Sequence, residues 1–321
     1  MRRSAALAAL MCGIAARGDS AGGDHGSQRA PPSAPPRAAP DAGRPAFLAT
    51  VGNRAAVLDA RGRVRRVLPA ALEGARSCPG ARRIVASPDF SGRVATAGIT
   101  GGRLWRRRVP LATTQAVTCL DPAARRVALV LGADRMKSLH IVTAHADRRV
   151  RRFDGEAPLL TARRMYVTNP RGLRVYALPS GRKLATLPAP PDIHNVSAAP
   201  NGRHLALTAL DREAPDLTDR HFLADLTTGA VRPLEIAGVE IIDWLGPDRI
   251  AVRTRRELLV LDPALAVVRR IRTAPLENAI ASGADIFAHT GRSLLRLGPD
   301  DTSLRRVGRL PADTWLSTAL R

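Results

Sequence analysis

Residues 196–234, VSAAPNGRHLALTALDREAPDLTDRHFLADLTTGAVRPL, contain the pattern that decides the fold. Four short apolar runs, VSAA, HLALTAL, HFLADL and AVRPL, are separated by polar turns. The first turn consists of Pro200, Asn201 and Gly202, residue types that preset or tolerate the turn dihedrals between two strands. This stretch therefore predicts one antiparallel sheet of four strands, with VSAA as its inner strand.

Weaker copies of this stretch recur along the chain. Each copy opens its second strand with an apolar residue that is usually preceded by a basic residue and followed by alanine, as in His204-Leu205-Ala206. The separations between these apolar anchors scatter around roughly 40 residues, the length of one propeller blade. A turn with Asp or Gly precedes the last strand of most copies. The seven anchors are Leu48, Val94, Val127, Met165, Leu205, Ile250 and Phe287.

The turn PNGR (200–203) and the ending LADLTTGAVRPL resemble the WD40-like repeats of TolB-type β-propellers. Residues 87–93, with a Ser-Pro-Asp start and a Gly-Arg end, are a second match, and residues 246–249 are a shortened one. The resemblance covers roughly residues 46–320. It implies a propeller scaffold, and such scaffolds serve many functions. We predict an all-β chain that forms a single propeller of seven blades of four antiparallel strands, with six or eight blades as alternatives.

The two ends of this repeat region complement each other. The first unit, residues 47–68, contains only about three strands, and residues 315–320, WLSTAL, form a strand-like run without a unit of its own. Propellers commonly close by letting one terminus complete the sheet begun by the other, which leaves fewer exposed edges. We therefore assign the C-terminal run to the first blade.

The chain divides into three predicted segments. Residues 1–20 have a basic start and a short apolar run, the anatomy of a signal-like or membrane-targeting segment, and the run is too short for a typical membrane span. Residues 21–45 are a Pro/Gly/Ser/Ala-rich linker, and residues 46–321 are the propeller domain. We expect an exported protein, secreted or tethered to the membrane. Cys12 is a candidate for lipidation, although Met11 stands where bacterial lipoprotein signals usually have a small residue.

Two further cysteines lie in consecutive units of the repeat, Cys78 before and Cys119 within a predicted inner strand. In an exported protein a disulfide between them is one interpretation. Two separate buried thiols, which behave as small apolar side chains, are the other. The expected export favours the disulfide slightly.

The chain is strongly basic, with 50 Lys and Arg against 28 Asp and Glu and a formal net charge of +22. Residues 1–46 hold six Arg and three Asp, so the rest of the chain keeps +19. Such a charge indicates either a surface for nucleic acid or another polyanion, or arginines distributed over solvated strand faces. Because Arg occurs in all units instead of one block, we expect only weak and unselective association with polyanions.

Few residues offer candidate chemistry. Asp192, His194 and Asn195 stand at the start of the fifth inner strand and are weak candidates for a ligand-facing mouth. An Asp-His pair can orient a general base, but no Ser or Cys motif stands nearby to be activated. The acidic residues of the loop 211–221 lack the regular spacing of a calcium-binding loop. No catalytic residue, metal site or cofactor is predicted.

These observations favour a non-catalytic propeller that acts as a protein-interaction or ligand-binding scaffold at the bacterial cell envelope. We expect a monomer without an integral membrane span, which engages another envelope protein or a small ligand at one mouth of the ring. The alternative is a propeller-borne enzyme, such as a lactonase or a quinone-dependent dehydrogenase. A lactonase needs carboxylates or amides around an axial metal, and a quinone enzyme needs repeated Trp, of which this chain has three.

Overall fold

The computed structural model describes residues 45–78, 82–87, 92–102, 105–132, 136–212, 214, 218–236 and 238–320. The predicted targeting segment with Cys12, and the linker up to residue 44, lie outside the described residues. Within the described part of the chain, no helix is long and apolar enough to span a membrane.

The described chain forms seven antiparallel sheets of four strands each, as the sequence predicts. Its single helical element is a short 3-10 turn at Ala70–Leu72 among the described residues. The strands β1 to β28 are, in chain order, Pro45–Val51, Arg54–Asp59, Val64–Val67, Arg76–Ser77, Arg83–Ala86, Arg93–Gly98, Trp105–Arg108, Thr114–Cys119, Val127–Leu131, Met136–Val142, Asp147–Asp154, Glu156–Leu160, Arg164–Asn169, Gly172–Ala177, Lys183–Leu187, Ile193–Ala198, His204–Leu210, Asp219–Asp225, Val231–Pro233, Glu240–Trp244, Ile250–Arg253, Glu257–Leu261, Val267–Arg272, Asn278–Ser282, Asp285–Thr290, Ser293–Leu297, Arg305–Arg309 and Thr314–Ala319.

The seven sheets are the blades of one β-propeller. Blades 2 to 7 each take four consecutive strands, beginning with β4–β7 and ending with β24–β27, and the first strand of each lies innermost. The inner strands of adjacent blades contact one another around the ring. Blade 1 has the order β28-β1-β2-β3, so the C-terminal strand is its inner strand. Phe47 pairs with Ala319 and Val51 with Thr314, which confirms the predicted closure.

The strands differ in composition according to their position in a blade. All five residues of β9, VALVL, are buried, because a middle strand is covered on both faces by neighbouring blades. Outer strands such as β23, VVRRIR, are mostly exposed, and arginine is common there. This radial change from apolar to basic is why strict alternation is weak along much of the sequence.

The hydrophobic core is divided among the spaces between blades. Each of seven clusters joins buried side chains of two adjacent sheets, for example Leu207 of blade 5 with Tyr166 of blade 4. Leu, Val, Ile and Ala dominate these clusters, as expected for a chain with only 3% aromatic residues. Each blade therefore depends on both of its neighbours for burial of its apolar surface.

One detail of the predicted register is wrong. Arg93-Val94-Ala95 opens the third strand of blade 2, β6, because Arg83–Ala86 is the second strand, β5. The other six anchors do lie in second strands. Turn residues such as Ser-Pro-Asp and Gly indicate that the chain reverses, but they do not specify which pair of strands the turn joins.

Arginines of the outer strands bridge neighbouring blades. At four of the seven interfaces, counting described residues, an outer-strand guanidinium donates to a backbone carbonyl near the last turn of the next blade. The bonds are Arg66 to Gly98 (3.3 Å), Arg151 to Gly181 (2.9 Å), Arg232 to Pro263, and Arg269 to Pro299 (2.6 Å) and Gly298 (3.0 Å). Between blades 7 and 1 a backbone bond from Arg309 N–H to Arg61 O (3.1 Å) occupies the corresponding place. Part of the basic charge is therefore used in holding the ring together.

The cysteines link blades 2 and 3. Cys78 directly follows the inner strand β4 instead of preceding it, and Cys119 ends the inner strand β8. Their Cα atoms are 5.1 Å apart and the two side chains are joined as a disulfide in the structure. Both residues are buried. Oxidation of the pair in the native protein stays a prediction.

Candidate functional site

The strand order defines two faces of the ring. Every inner strand begins on one face, here called the mouth face, which also carries the connections between blades and the turns between second and third strands. The opposite face, here called the rear face, carries the remaining turns. This division follows because the four strands of a blade run alternately up and down.

The three residues proposed for a ligand-facing mouth lie on the mouth face, at the start of β16. Asp192 adopts a positive φ of 56° and accepts a 2.7 Å contact from Arg212 Nε. The His194 Nε2 atom is 3.6 Å from Asp219 Oδ1, and the His194 and Asn195 side chains are exposed. Asp192 thus contacts Arg212, in the connection that precedes β18, and His194 contacts Asp219, the first residue of β18. Their contact with a ligand stays a prediction.

A cleft of about 1190 Å³ opens on the mouth face between blades 5 and 6, next to Asp219. Its walls are the start of β18, residues 233–236 and 238–240, residues 253–255, and residues 275–276. A second hollow of about 1040 Å³ shares part of this wall. The lining residues of the cleft are Thr218, Asp219, Arg220, His221, Pro233, Leu234, Glu235, Ile236, Gly238, Val239, Glu240, Arg253, Thr254, Arg255, Pro275 and Leu276.

Charge in this cleft is balanced, in contrast to the chain as a whole. Its lining includes three carboxylates and three guanidinium groups. Glu235 and Arg255 are exposed, and neither has an ion-pair partner among the described residues. Apolar side chains such as Ile236 and Leu276 lie between the charged ones. The cleft therefore presents both signs of charge on a partly apolar surface.

Arg253 fixes the wall of the cleft. Its side chain is only 14% exposed and donates through Nε (2.8 Å) and Nη2 (2.6 Å) to Glu240 Oε2. Its Nη1 donates to the Leu276 carbonyl, 3.1 Å away. One guanidinium thus joins the start of β20 to the connection between blades 6 and 7. Because these bonds are charge-assisted, the wall is held in one arrangement before any ligand binds.

His221 connects β18 to the opposite wall of the cleft. Its Nε2 lies 2.8 Å from the Val239 carbonyl, so Nε2–H is the donor. Its Nδ1 lies 3.2 Å from Thr208 Oγ1 and accepts from that hydroxyl. Burial lowers the pKa of His221, while the bond to Val239 and the charges of Asp219 and Glu240 act in the opposite direction. Burial, the largest of these causes, favours the neutral imidazole.

Stability should fall on mild acidification. Burial also lowers the pKa of His289, opposed by the charge of Glu277. The unfolded histidines bind protons below about pH 6.5 whereas the folded ones resist, so the unfolding free energy decreases as pH falls below that value. The lowered pKa of Asp225, caused by the hydrogen bond from Arg203, matters only below about pH 4.

Chemical denaturation at about pH 7.5 and about pH 5.5 measures this effect. We expect the double variant His221→Gln and His289→Gln to lose less stability between the two values than the parent protein. His145→Gln, at an exposed rear-face turn, is the matched control and should behave like the parent. Equal losses in the double variant and the parent would show that these two histidines do not cause the pH dependence.

A lactonase needs several metal-binding side chains that meet at one point of the structure. Among the described residues, no group of three or more His, Cys, Asp or Glu side chains comes together at one point. The described acidic residues of the loop 211–221 pair with basic side chains instead. Asp211 contacts Arg220 at 3.8 Å, and Asp219 contacts His194.

Sequence reasoning missed most of the cleft. It placed a ligand surface on the fifth inner strand but did not identify Glu235, Arg253 or Arg255, because charged residues in turns usually face solvent. One feature of the sequence could have indicated the cleft. The connection from Pro233 to Glu240, between β19 and β20, is long and has its own apolar residues. Long connections in propellers are where binding surfaces form.

No protein-family model matches this sequence. No curated protein matches it either. Solved structures are similar in fold. Dihydro-heme d1 dehydrogenase NirN in complex with DHE matches with a TM-score of 0.55 at 15% identity, covering 81% of this chain and 63% of that one. This chain therefore spans less than two thirds of that protein's length.

Two other solved structures give similar agreement. Apo AztD from Citrobacter koseri has a TM-score of 0.51 at 15% identity and covers 86% of this chain and 98% of that one. A chain of the mitotic checkpoint complex has a TM-score of 0.51 at 11% identity and covers 74% of this chain and 84% of that one. At such identities the likeness shows the fold alone, a β-propeller.

Proposed function

We propose that this chain is a binding propeller whose mouth-face cleft between blades 5 and 6 holds an extended segment of a partner protein. The observation that carries this proposal is the balanced charge of the cleft in a chain of formal net charge +22. A polyanion site would concentrate arginine at the binding surface. A surface with both signs of charge and apolar side chains between them matches a protein segment.

The geometry of the walls supports the same ligand class. Arg253 and His221 fix the two sides of the cleft through bonds to Glu240, Leu276 and Val239. Glu235 and Arg255 remain exposed at the rim, where they can pair with charges on a ligand. A preorganised wall lowers the entropic cost of binding, because fewer groups must be ordered when the ligand arrives.

A selection with random peptides displayed on phage tests this proposal. We expect enriched peptides that carry both acidic and basic residues and that compete with one another. Arg255→Glu and Glu235→Arg should each weaken their binding by about tenfold, equivalent to about 1.4 kcal/mol. Arg182→Glu, at an exposed rear-face turn, is the matched control and should leave binding unchanged. Peptides that bind the two cleft variants as tightly as the parent protein would contradict the proposal.

Association with polyanions is proposed as a separate and unselective property. The support for it is that arginine occurs in every blade and is not concentrated in one of them. Heparin, duplex DNA and anionic vesicles should bind comparably at low salt and be released near physiological salt, about 0.15 M. Retention of only one of them at that salt would favour a dedicated polyanion surface.

The setting proposed for this binding is the bacterial cell envelope, outside the cytoplasm. Support comes from the signal-like residues 1–20 and from the Cys78–Cys119 pair, since disulfides persist in oxidising compartments. Fractionation of the native host followed by N-terminal sequencing tests it. Recovery of the protein from the cytoplasm with Met1 intact would contradict export.

A further inference from the structure

A third cavity, of about 370 Å³, lies on blade 3, away from the two hollows between blades 5 and 6. One wall is the connection between blades 2 and 3, with Pro110 and Ala112. The other wall is the outer part of blade 3, with Leu131, Ser138 and His140 among its lining residues. This cavity holds a group of side chains that the binding function does not use.

Two of these lining side chains, Ser138 and His140, form a connected line with Asp147, which lies behind them. Ser138 and His140 alternate onto one face of β10, and the Ser138 Oγ atom is 3.0 Å from His140 Nε2. His140 Nδ1 is 2.8 Å from Oδ1 of Asp147, the first residue of β11. A register shift between Leu139 and His140 in the pairing of β10 with β11 accompanies this arrangement. Both distances are within the range of a nucleophile and base in hydrogen-bond contact.

The hydrogen-bond pattern sets the tautomer of His140. Asp147 accepts only, so Nδ1 carries the proton and Nε2 presents its lone pair to the Ser138 hydroxyl. The alternative acceptor for that hydroxyl, the Leu131 carbonyl, is more distant at 3.4 Å. His140 is 5% exposed and the Asp147 side chain 17%. The base is therefore shielded from water while the hydroxyl faces the cavity.

We propose that Ser138, His140 and Asp147 are the nucleophile, general base and orienting carboxylate of an acyl-transfer site that hydrolyses carboxylic esters. The cavity lining suits a small ester with an anionic group. Leu131 and Ala112 give the apolar surface for a short acyl chain. Arg149 and Arg152 also line the cavity, are exposed, and have no ion-pair partner among the described residues.

The reaction follows from the three roles. Ser138 Oγ attacks the carbonyl carbon of the ester, and its proton moves to His140 Nε2. The bond from the carbonyl carbon to the alcohol oxygen then breaks, and the alcohol leaves with that proton. Water attacks the resulting acyl-serine and gives a proton to His140. The acid leaves as Ser138 Oγ takes this proton back, so the enzyme is regenerated and one water is consumed.

Blade 5 provides an internal comparison. Thr208 and His221 also form a hydroxyl–imidazole contact, at 3.2 Å, but the other nitrogen of His221 donates to a backbone carbonyl and not to a carboxylate. That imidazole is oriented with its proton on Nε2, and Thr208 is buried. We therefore expect covalent labelling of a serine and ester hydrolysis to depend on Ser138, His140 and Asp147. Neither should depend on Thr208 and His221.

The test uses the full-length protein, a fluorophosphonate probe and the 4-nitrophenyl esters of acetic and succinic acid. We expect a covalent adduct on Ser138, located by peptide mass spectrometry, and hydrolysis that favours the anionic succinyl ester. Ser138→Ala should abolish the adduct and lower kcat/KM by about 1000-fold or more. Asp147→Asn, which orients the wrong tautomer, should lower it by about 100- to 10 000-fold. Arg152→Gln should raise KM for the succinyl ester alone.

The controls separate chemistry from folding. Ser138→Cys keeps a nucleophile at the same place and should be alkylated by iodoacetamide faster than the same variant with His140→Gln. Thr208→Ala should retain the Ser138 adduct and the parent rate. A folded parent protein without an adduct on Ser138, or a Ser138→Ala variant that hydrolyses both esters at the parent rate, would overturn the proposal.

Discussion

Deletion of residues 313–321 is expected to unfold the ring. It removes β28, the inner strand of blade 1, with its five residue pairs to β1. Leu316 and Leu320, which are 1% and 8% exposed, pack in the clusters on the two sides of that blade. Burial of each leucine side chain contributes about 1.5–3 kcal/mol to the free energy of unfolding. Each backbone hydrogen bond that is lost contributes about 1 kcal/mol. The total is comparable with the net stability of a domain, about 5–15 kcal/mol.

A circular permutant is the matched control for this deletion. Placing residues 313–321 before residue 45 through a short Gly/Ser linker keeps every strand but makes blade 1 continuous in sequence. Calorimetry should show a folded permutant and a deletion variant without a cooperative transition near the parent Tm. A deletion variant that melts at the parent Tm would show that β28 does not close the ring.

Reduction of the Cys78–Cys119 pair should give the second largest loss of stability, about 2–4 kcal/mol. The bridge joins positions separated by 41 residues, so its closed loop restricts the unfolded chain substantially. It also joins the inner strands of blades 2 and 3 where β4 has only two residues. Urea unfolding with and without reductant measures the difference.

Alkylation with mass detection accompanies that experiment. Cys78 and Cys119 should resist alkylation in the native oxidised protein, and the double variant Cys78→Ala, Cys119→Ala should lose the response to reductant. Cys12→Ala is the control and should keep it. Alkylation of both thiols in the native protein without reductant would show that the bridge does not form.

Most of the fold could be predicted from the sequence because the information is local and repeated. Turns such as residues 200–202 and 227–229 each specify a chain reversal, and seven repeats specify a ring. The isolated run at residues 315–320 indicated the closure. Blade 2 was the exception in register, since the same turn chemistry can join either the first and second or the second and third strands of a blade.

The sites were less predictable because they depend on contacts between distant parts of the chain. Glu240 meets Arg253 only when β20 and β21 pair, and Leu276 joins them from the next connection. Ser138 and His140 show the alternation of a strand, but Asp147 meets His140 only in the hairpin that follows. The distribution of arginine was visible in the sequence, whereas its bonds to turns of the next blade required the assembled ring.

Hydrogen–deuterium exchange of the protein with and without a selected peptide tests the central claim, that the cleft between blades 5 and 6 is the binding site. We predict protection of residues 218–221, 234–240, 253–256 and 275–276, all on the mouth face, with no change at the rear-face turns 179–182 and 226–230. Protection confined to the rear face, or to mouth-face residues of other blades, would contradict the account.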